Sequence, residues 1–523
     1  MGWQWGDILK GNWLETKGVE RMMIGCATVE GTMELAREHP ELSYQELGRT
    51  GWLVSQAGFG CYRVDVREEE HRNALRKALL SGVNLIDTSA NYADGRSEEL
   101  VGAVLAEMLA DGAVERSQVV VVSKAGYLQG QNYRLSQERK ANGRPFPDLV
   151  LYGQGLEHCI HPEFLEDQLT RSLERLQMQQ LDVYLLHNPE YFLMWAKQNQ
   201  VSVEAARAEY ERRLELAFRH LENEVEKGRI LCYGISSNTF GASAAEETHT
   251  SLERVLKLAE NVSSDNRLRV IQLPMNLVET GGMTEGNQMG GASVVQLAAR
   301  QRIGVLINRP LNAFTGQTMV RLADVEAVSV DEERIGAMLS QLLQAEQKLS
   351  SILLPALLLE AEAREKVADR LSVGALLKQH WQSFSTQDHW REVQVQFLVP
   401  TVQEGVRTLL EYERLDGEVT AWVESYVADI NRVLSEVTAY YRFQAAVQIE
   451  HIKNSVATAD KEWAAESLSG MALRALRSTS GVTTVLVGMR REAYVADVVA
   501  ELQQQATVKD RGEAWARMKN SQW

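Results

Sequence analysis

The sequence predicts an α/β protein built on a (β/α)8 TIM barrel, and three observations carry this prediction. Eight short apolar runs, many rich in β-branched residues, are typical of buried parallel strands. Stretches with helical periodicity separate most of these runs, which favours βα units over hairpins. Three of the runs end at Asp87, Lys124 and His187, and the carboxyl ends of barrel strands open on one mouth. We therefore expect these side chains to converge.

The elements are predicted in chain order from the same patterns. The strands are Ala57–Tyr62, Val83–Asp87, Val119–Lys124, Leu181–His187, Ile230–Ser236, Val270–Pro274, Ile303–Asn308 and Thr484–Gly488. The helices between them are Glu68–Leu80, Glu98–Leu109, Pro162–Leu176, Leu252–Asn261, Ser293–Arg300 and Glu492–Leu502. Pro162 suits the first position of its helix, because the N–H that proline lacks is not needed there.

The chain has 523 residues, whereas a barrel needs about 250. About half of the chain must therefore lie in extensions or insertions. The predicted segments are an N-terminal extension (1–45), strands one to seven of the barrel (46–316), a helical insertion (317–466), and the eighth strand with the last helix and tail (467–523).

Three segments interrupt the repeat on the side of the barrel mouth. Residues 128–160 contain many polar residues and glycines and are predicted as a long loop, while Val203–Lys227 has a charged helical pattern. Within the insertion, Asp331–Leu371 and Val402–Lys453 carry apolar stripes at helical spacing, with Pro355 and Pro400 marking breaks. These stripes must be buried, and we expect the insertion to cap the barrel mouth or to pack against a second subunit.

Composition excludes several classes of function. A formal net charge of −16 argues against a nucleic-acid binder, because phosphate contacts need clustered lysine and arginine. No apolar stretch reaches the roughly 20 residues that span a bilayer, and the N-terminus lacks the pattern of a secretory signal. Four scattered cysteines indicate reduced thiols and a cytoplasmic protein. No function is assigned to the tryptophan-rich residues 1–22.

Four motifs in order resemble those of the aldo-keto reductases. Asp87-Thr88-Ser89-Ala90-Asn91-Tyr92, followed by Gly95-Arg96-Ser97-Glu98-Glu99-Leu100-Val101-Gly102, is similar to the family signature after the second strand. Ser123-Lys124 resembles the third-strand lysine, and Leu186-His187 the fourth-strand histidine. The resemblance covers roughly residues 46–320 and 467–500. It implies a barrel that transfers hydride reversibly between NADP and a carbonyl or alcohol substrate, such as an aldehyde, a ketone or a sugar.

The resemblance makes Tyr92 the general acid. A free phenol titrates near 10, so the Lys124 ammonium within about 4 Å would lower its pKa by roughly three units at an effective dielectric near 20. Asp87 would hold Lys124, and His187 would donate or accept a hydrogen bond at the substrate oxygen. Taken singly, these residues have simpler explanations: a packing tyrosine, a structural ion pair and a strand-ending histidine.

The resemblance also implies the cofactor contacts, and they lie at five strand ends. The residues are Gly60, Cys61, Tyr62, Ser237, Asn238, Gln272, Asn308, Arg309, Leu311, Gly488, Arg490 and Arg491. After the seventh strand the family often has an aromatic residue that stacks on the nicotinamide, and here Asn308 stands in that region. Arg490 and Arg491 open the last helix, where they would hold a 2′-phosphate, so NADP is expected over NAD.

No metal site is expected, because His158, Cys159 and His161 have no second ligand pair at tetrahedral spacing. The predicted function is that of a cytoplasmic NADP-dependent reductase that acts on a small-molecule carbonyl or sugar. A second hypothesis keeps the barrel and its nucleotide but makes the chain a regulatory or scaffolding subunit, as some family members are.

Overall fold

A computed structural model describes residues 22–315, 318–326, 328–357, 359–411 and 417–521. Eight parallel strands form a closed barrel in the order β5-β6-β7-β8-β1-β2-β3-β4. They are β1 Ala57–Gly60, β2 Leu85–Asp87, β3 Val120–Ala125, β4 Leu181–His187, β5 Ile230–Ser236, β6 Leu268–Pro274, β7 Gly304–Asn308 and β8 Thr484–Val487. The predicted barrel is confirmed, and each predicted strand overlaps the observed one.

The strand registers bring the ends of neighbouring strands together. Gly60 pairs with Asp87, Asp87 with Val122, and Lys124 with Leu185. Every residue of β3 and of β4 is buried, as expected for parallel strands that are covered on both faces. Asp87, Lys124 and His187 therefore end their strands at the same rim.

Further helices lie between and after the barrel strands in the chain. They are Glu69–Leu80, Arg96–Ala110, Pro162–Leu176, Tyr191–Gln198, Val203–Glu226, Leu252–Val262, Gly281–Thr284, Val294–Arg300, Leu468–Arg477, Glu492–Leu502 and Gly512–Asn520. Pro162 occupies the first turn as predicted, and the side chain of His161 caps the helix by accepting the N–H of Glu163.

The prediction of a long loop at residues 128–160 is wrong. The segment contains the helix Gly130–Ala141 and two strands, Val150–Gly153 and Leu156–His158, which form an antiparallel sheet with Tyr127–Leu128. The buried residues of the helix are Asn132 and Ser136. They bond to Gln168 and Glu157 instead of packing through apolar side chains. Apolar periodicity is therefore absent from its sequence.

The described chain divides into two compact units. The first comprises the chain up to Ser237 with Arg254–Ile271 and Gly488–Val499, and the second comprises Asn238–Glu253, Gln272–Val487 and the chain after Ala500. The first unit begins with the helix Val29–Glu38 and the antiparallel pair Tyr44–Glu46 and Leu53–Ser55. Residues 1–21 of the tryptophan-rich segment lie outside the described part of the chain.

Buried Asp182 ties the N-terminal part of the first unit to the barrel. Its carboxylate accepts the N–H groups of Ala27 and Val121 and the Nη2 group of Arg116, each at 2.7 Å. Three charge-assisted or backbone contacts satisfy this carboxylate, which has no exposed surface. The described part of the extension is thus joined to β4 by Ala27.

The second unit contains the helices of the insertion. They are Glu332–Lys348, Leu354–Ala356, Ala361–Arg370, Val373–His380, Gln387–Val393, Val399–Leu410 and Gly417–Ala459. Pro355 lies one residue before the end of the helix Leu354–Ala356, as the predicted break implies, whereas Pro400 lies in the first turn of Val399–Leu410 and ends no helix. Each follows a π-helical turn, Leu349–Leu353 or Gln394–Leu398, which widens the helix where proline lacks an N–H.

The apolar stripes of these helices pack against one another. One hydrophobic cluster contains buried side chains from Ile335 to Tyr441, with Trp390 and Tyr426 among its fully buried members. The stripes are therefore buried largely within the segment, and the expectation that it caps the barrel mouth or packs against a second subunit stays a prediction. The segment forms a core of its own.

No helix in the described ranges is both long enough and apolar enough to cross a membrane. The four cysteines are free thiols.

Candidate active site

Asp87 and Lys124 form a buried ion pair between β2 and β3. The Lys124 Nζ atom donates to both carboxylate oxygens of Asp87 at 2.7 Å, and the exposed fractions of the two side chains are 0% and 5%. Burial lowers the pKa of Lys124, and the neighbouring Asp87 opposes that change. The pair brings a fixed positive group to the carboxyl end of the barrel.

Tyr92 lies on a tight turn immediately after β2. The three residues after it, Ala93, Asp94 and Gly95, have positive φ angles of 48°, 58° and 91°, which is unusual for the first two. Gln131 fixes the turn because its backbone N–H donates to Asp94 Oδ1 at 2.9 Å and its Nε2 to Asp94 O at 2.7 Å. Strained backbone of this kind is typical of functional sites.

The surroundings of Tyr92 contradict one expectation about its acidity. Lys124 Nζ lies 5.0 Å from the centre of the tyrosine ring, yet the pKa of Tyr92 is raised well above its usual value by burial and then by the charge of Asp87. The pKa of Tyr92 is not lowered as predicted, because burial and the charge of Asp87, which lies 2.7 Å from Lys124 Nζ, both raise it. Tyr92 therefore keeps its proton near neutral pH.

His187 ends β4 beside the other three residues. Its ring centre lies 5.9 Å from that of Tyr92 in an edge-to-face arrangement. Nδ1 lies 3.1 Å from the Ser89 hydroxyl, and the backbone carbonyl accepts His158 Nε2 at 2.7 Å. Burial and the Lys124 charge hold the pKa of His187 well below its usual value, so the ring is neutral near pH 7.

Glu98 of the signature supports the lysine strand from behind. The side chain is fully buried, and its carboxylate accepts the Ser123 hydroxyl at 2.5 Å and Arg175 Nε at 2.7 Å. Ser123 directly precedes Lys124, so these contacts fix the end of β3. The glutamate of the motif is thereby explained as structural support.

The end of β1 lies beside Tyr92. The Cys61 N–H donates to Asp87 O at 2.9 Å, and Tyr62 packs its ring edge-to-face on Tyr92 with centres 5.4 Å apart. Tyr62 is 68% exposed. Gly60 is half-buried in register with Asp87. The three predicted cofactor residues of this strand end therefore lie near Tyr92 or Asp87.

In the second unit, the predicted cofactor residues of β6 and β7 form an amide pair. Asn308 Nδ2 donates to Gln272 Oε1 at 3.2 Å, and Asn308 Oδ1 is buried without a partner in the described structure. A carboxamide N–H₂ group is a donor that would satisfy this oxygen. The pair therefore fits the amide of a nicotinamide.

Arg309 and Leu311 are the predicted cofactor contacts that follow β7. Arg309 Nη2 donates to Glu279 Oε1 at 2.6 Å and the guanidinium lies 5.0 Å from the Phe314 ring centre. Its charge is already paired with Glu279, so its assignment to a phosphate stays a prediction. Leu311 is half-buried.

The remaining predicted contacts belong to the first unit except Asn238. Ser237 is buried and Asn238 is exposed. Gly488 is exposed with open space around its Cα, and Arg491 lies 3.5 Å from Glu70 with both side chains largely exposed. Arg490 is half-buried. Their roles toward a nucleotide stay predictions.

The structure brings Asp87, Tyr92, Lys124 and His187 together at one strand rim, as the sequence indicated. Two residues that contact this group were not predicted to lie at the site. Ser89 lies inside the quoted motif, where its position between Asp87 and Tyr92 was a usable signal. His158 belongs to the segment predicted as a loop, so its pairing with β4 had no signal in the sequence.

Part of the chain is similar in sequence to known proteins. Residues 57–277 match the model of the Aldo/keto reductase family. The "NAD(P)H-dependent D-xylose reductase" of Scheffersomyces stipitis is 27% identical over 27% of this chain and 34% of its own length. The "Probable voltage-gated potassium channel subunit beta" of Oryza sativa is 29% identical over 28% of this chain and 38% of its length.

A solved aldo-keto reductase of Bacillus halodurans in its holo form aligns with 58% of this chain and 77% of its own length, at a TM-score of 0.35 and 17% identity. The two curated relatives named above are matched over little more than a third of their own length. The family match covers residues 57–277, which contain β1 to β6 of the closed barrel, and it identifies this part of the chain as an aldo/keto reductase barrel.

Proposed function

We propose that the chain is a nicotinamide-dependent oxidoreductase that interconverts a carbonyl compound and its alcohol, with NADP as the favoured cofactor. The observation that carries the proposal is the buried Asp87–Lys124 pair at one strand rim with protonated Tyr92 and neutral His187. A structural ion pair alone would not require a tyrosine on a strained turn beside it. Family membership of the barrel supports the same reaction.

The side chains supply acid catalysis and charge stabilisation. When bound, the reduced nicotinamide supplies a hydride to the carbonyl carbon. Tyr92 donates its hydroxyl proton to the carbonyl oxygen, so the alcohol leaves with one hydrogen from each source. The Lys124 ammonium, whose Nζ lies 5.0 Å from the Tyr92 ring centre and is shared with Asp87, is the positive group available to the phenolate that remains. General acid catalysis of this kind contributes typically 100- to 10,000-fold to a rate.

Each of the two units contains candidate cofactor contacts. The Gln272–Asn308 pair offers an unpaired acceptor to the carboxamide. Arg490 and Arg491 precede the helix Glu492–Leu502, whose first N–H groups favour a phosphate. Two guanidinium groups at that position favour the additional 2′-phosphate of NADP over NAD.

A regulatory or scaffolding subunit is the second candidate. One relative is named as a channel subunit, and the helical segment with a hydrophobic core of its own has no part in the proposed reaction. The four assembled site residues favour the enzyme, because a subunit that only binds nucleotide has no need for a proton donor.

The two candidates give different results in one experiment. Purified full-length protein is mixed with NADPH or NADH and with aldehydes, ketones and sugars, and nicotinamide absorbance is followed. Calorimetry measures nucleotide binding on the same sample. We expect turnover with at least one carbonyl and tighter binding of NADPH than of NADH. Tight binding without turnover for any substrate would select the regulatory subunit.

A further inference from the structure

His158 is a buried histidine that takes no part in the proposed chemistry. It belongs to the small sheet, which consists of Tyr127–Leu128, Val150–Gly153 and Leu156–His158, and it is 1% exposed. Its Nε2 atom lies 2.7 Å from the backbone carbonyl oxygen of His187. A carbonyl oxygen only accepts, so the ring nitrogen that faces it carries the hydrogen. The contact therefore joins the small sheet to the strand end that carries His187.

This contact lies where β3 and β4 separate. The last paired residues of the two strands are Ala125 and Leu186. Beyond them, the carbonyl of Gly126 accepts the N–H of Cys159 at 2.8 Å, and the carbonyl of His187 accepts the ring N–H described above. The small sheet thus supplies hydrogen-bond donors to both strands just past the end of their ladder.

The peptide group between His187 and Asn188 is fixed by contacts on both sides. Its carbonyl accepts the ring N–H of His158, and its own N–H donates to the carbonyl of Ser236 at 2.7 Å. Asn188 has a positive φ angle of 53°, a conformation that surrounding contacts have to maintain. Because this peptide follows the Cα atom of His187 directly, its orientation influences where the imidazole ring lies.

Gly126 leaves the space that the contact needs. A Cβ atom at this position would lie 2.3 Å from the carbonyl oxygen of His187 and 2.7 Å from Nε2 of His158. Both distances are well below the roughly 3.5 Å of a favourable non-bonded contact. A larger residue would therefore push the two groups apart, and glycine permits their close approach.

Aromatic side chains fix the ring of His158. It stacks on Tyr191, with ring centres 5.4 Å and planes 15° apart, and it meets Tyr127 edge-to-face at 5.6 Å. Tyr127 in turn packs edge-to-face on His187, with ring centres 4.7 Å apart. Burial lowers the pKa of His158 to about 4, so the ring is neutral near pH 7 and its one hydrogen is used in this contact.

We propose that His158 is a positioning residue, which fixes the end of β4 so that the ring of His187 stays beside Tyr92. The inference rests on the proposed function for its effect on turnover, whereas the position of His187 is measurable without turnover. A hydrogen bond of structural value only would stabilise the fold and leave the rate unchanged. The proposal assigns an effect on the rate, because a misplacement of about 1 Å at a reacting centre can cost about 100-fold.

NMR observes the contact directly in full-length protein labelled with ¹³C-carbonyl histidine and ¹⁵N-asparagine. His187–Asn188 is the only histidine–asparagine pair in the sequence, so one coupled ¹³C–¹⁵N signal reports the carbonyl of His187. We expect this signal to move in His158→Phe, which keeps a ring but has no N–H donor. In His158→Gln it should return toward its wild-type position, because the Nε2 group of glutamine donates. An unchanged signal in His158→Phe overturns the contact.

A second sample, labelled with ¹⁵N in the histidine rings, reports the position of the His187 side chain. The variant His187→Gln identifies its signals by their loss. We expect the ring signals of His187 to shift in His158→Phe and to recover in His158→Gln. Ring signals that are the same in the wild type and in His158→Phe overturn the positioning role.

Kinetics measures the consequence for the reaction. In His158→Phe, kcat should fall about 10- to 100-fold while the dissociation constant of NADPH stays unchanged, and His158→Gln should recover part of the loss. Gly126→Ala should cause a similar fall, because it displaces the same contact while His158 stays intact. His220→Phe is the matched control, since His220 lies in the same unit with a side chain that is 9% exposed, and it should keep kcat.

Urea unfolding of each variant separates a loss of stability from a loss of rate. An unchanged kcat in folded His158→Phe and Gly126→Ala overturns the proposal, and so does a fall in kcat that His158→Gln does not reduce. Where His158→Phe does not fold, Gly126→Ala decides the effect on the rate. Absence of turnover in the wild type refutes the proposed function instead, and the ring signals of His187 then decide the positioning role.

Discussion

Removing one partner of the Asp87–Lys124 pair should strongly destabilise the barrel. Both side chains are buried and joined by two contacts of 2.7 Å. Lys124→Met leaves a carboxylate without a counter-charge, and breaking such a buried pair costs about 3–5 kcal/mol of the free energy of unfolding. Asp87→Asn leaves an unpaired ammonium and should cost a similar amount.

The double variant should be far less destabilised than the sum of the single variants. Replacing both charges removes the uncompensated group, and neutral replacements of buried pairs are often tolerated. We expect the double variant Asp87→Asn, Lys124→Met to lose less than about 2 kcal/mol. The coupling free energy would then exceed about 4 kcal/mol, well above values for independent sites.

Urea unfolding of the four proteins, followed by tryptophan fluorescence and circular dichroism, measures these free energies. Arg72–Glu107 provides a matched control in the same unit, because its N–O distance is 2.6 Å but its side chains are 24% and 50% exposed. Arg72→Met should cost at most about 1 kcal/mol. The reasoning would be refuted if Lys124→Met lowered the free energy of unfolding no more than Arg72→Met does. Additive effects of Asp87→Asn and Lys124→Met in the double variant would refute it as well.

Three further predictions address the cofactor and the insertion. Replacing Arg490 and Arg491 with alanine should weaken NADPH binding by about 1.5–3 kcal/mol more than NADH binding, because a charge-assisted contact to the 2′-phosphate is lost; calorimetry giving equal losses would contradict this. If residues 317–466 cover the barrel mouth, NADPH and substrate should slow amide hydrogen exchange there, and unchanged exchange in an active protein would argue against such a cap. Burial raises the pKa of Glu346, so its contribution to the free energy of unfolding is fully present below the unfolded pKa of about 4.3 and is lost as pH rises through the folded pKa. Glu346→Gln should remove this pH dependence in urea unfolding at pH 4 to 8. Free energies of unfolding that fall in parallel for wild type and variant would contradict the prediction.

The parts of the fold and site that the sequence predicted are those encoded locally. The strands and three of the site residues follow from short apolar runs with a titratable residue at their ends, such as Leu181–His187. Tyr92 follows from a motif within one turn of Asp87. These features need no knowledge of distant contacts.

The parts that the sequence did not predict depend on contacts between distant residues. The helix Gly130–Ala141 is held by Asn132 and Ser136, whose partners lie elsewhere in the chain. The pKa of Tyr92 is set by desolvation, which outweighs a lysine already paired with Asp87. The insertion buries its own stripes, a result that required the positions of all its helices.

Transfer of deuterium from the cofactor tests the central claim most directly. Full-length protein is incubated with a carbonyl substrate and NADPH deuterated at nicotinamide C4, and mass spectrometry locates the label in the product. We predict one deuterium on the former carbonyl carbon with the wild type. Tyr92→Phe should transfer it at least about 100-fold more slowly while binding NADPH as tightly as the wild type. No labelled alcohol with any carbonyl, or a Tyr92→Phe rate above about a tenth of that of the wild type, would contradict the proposed reaction.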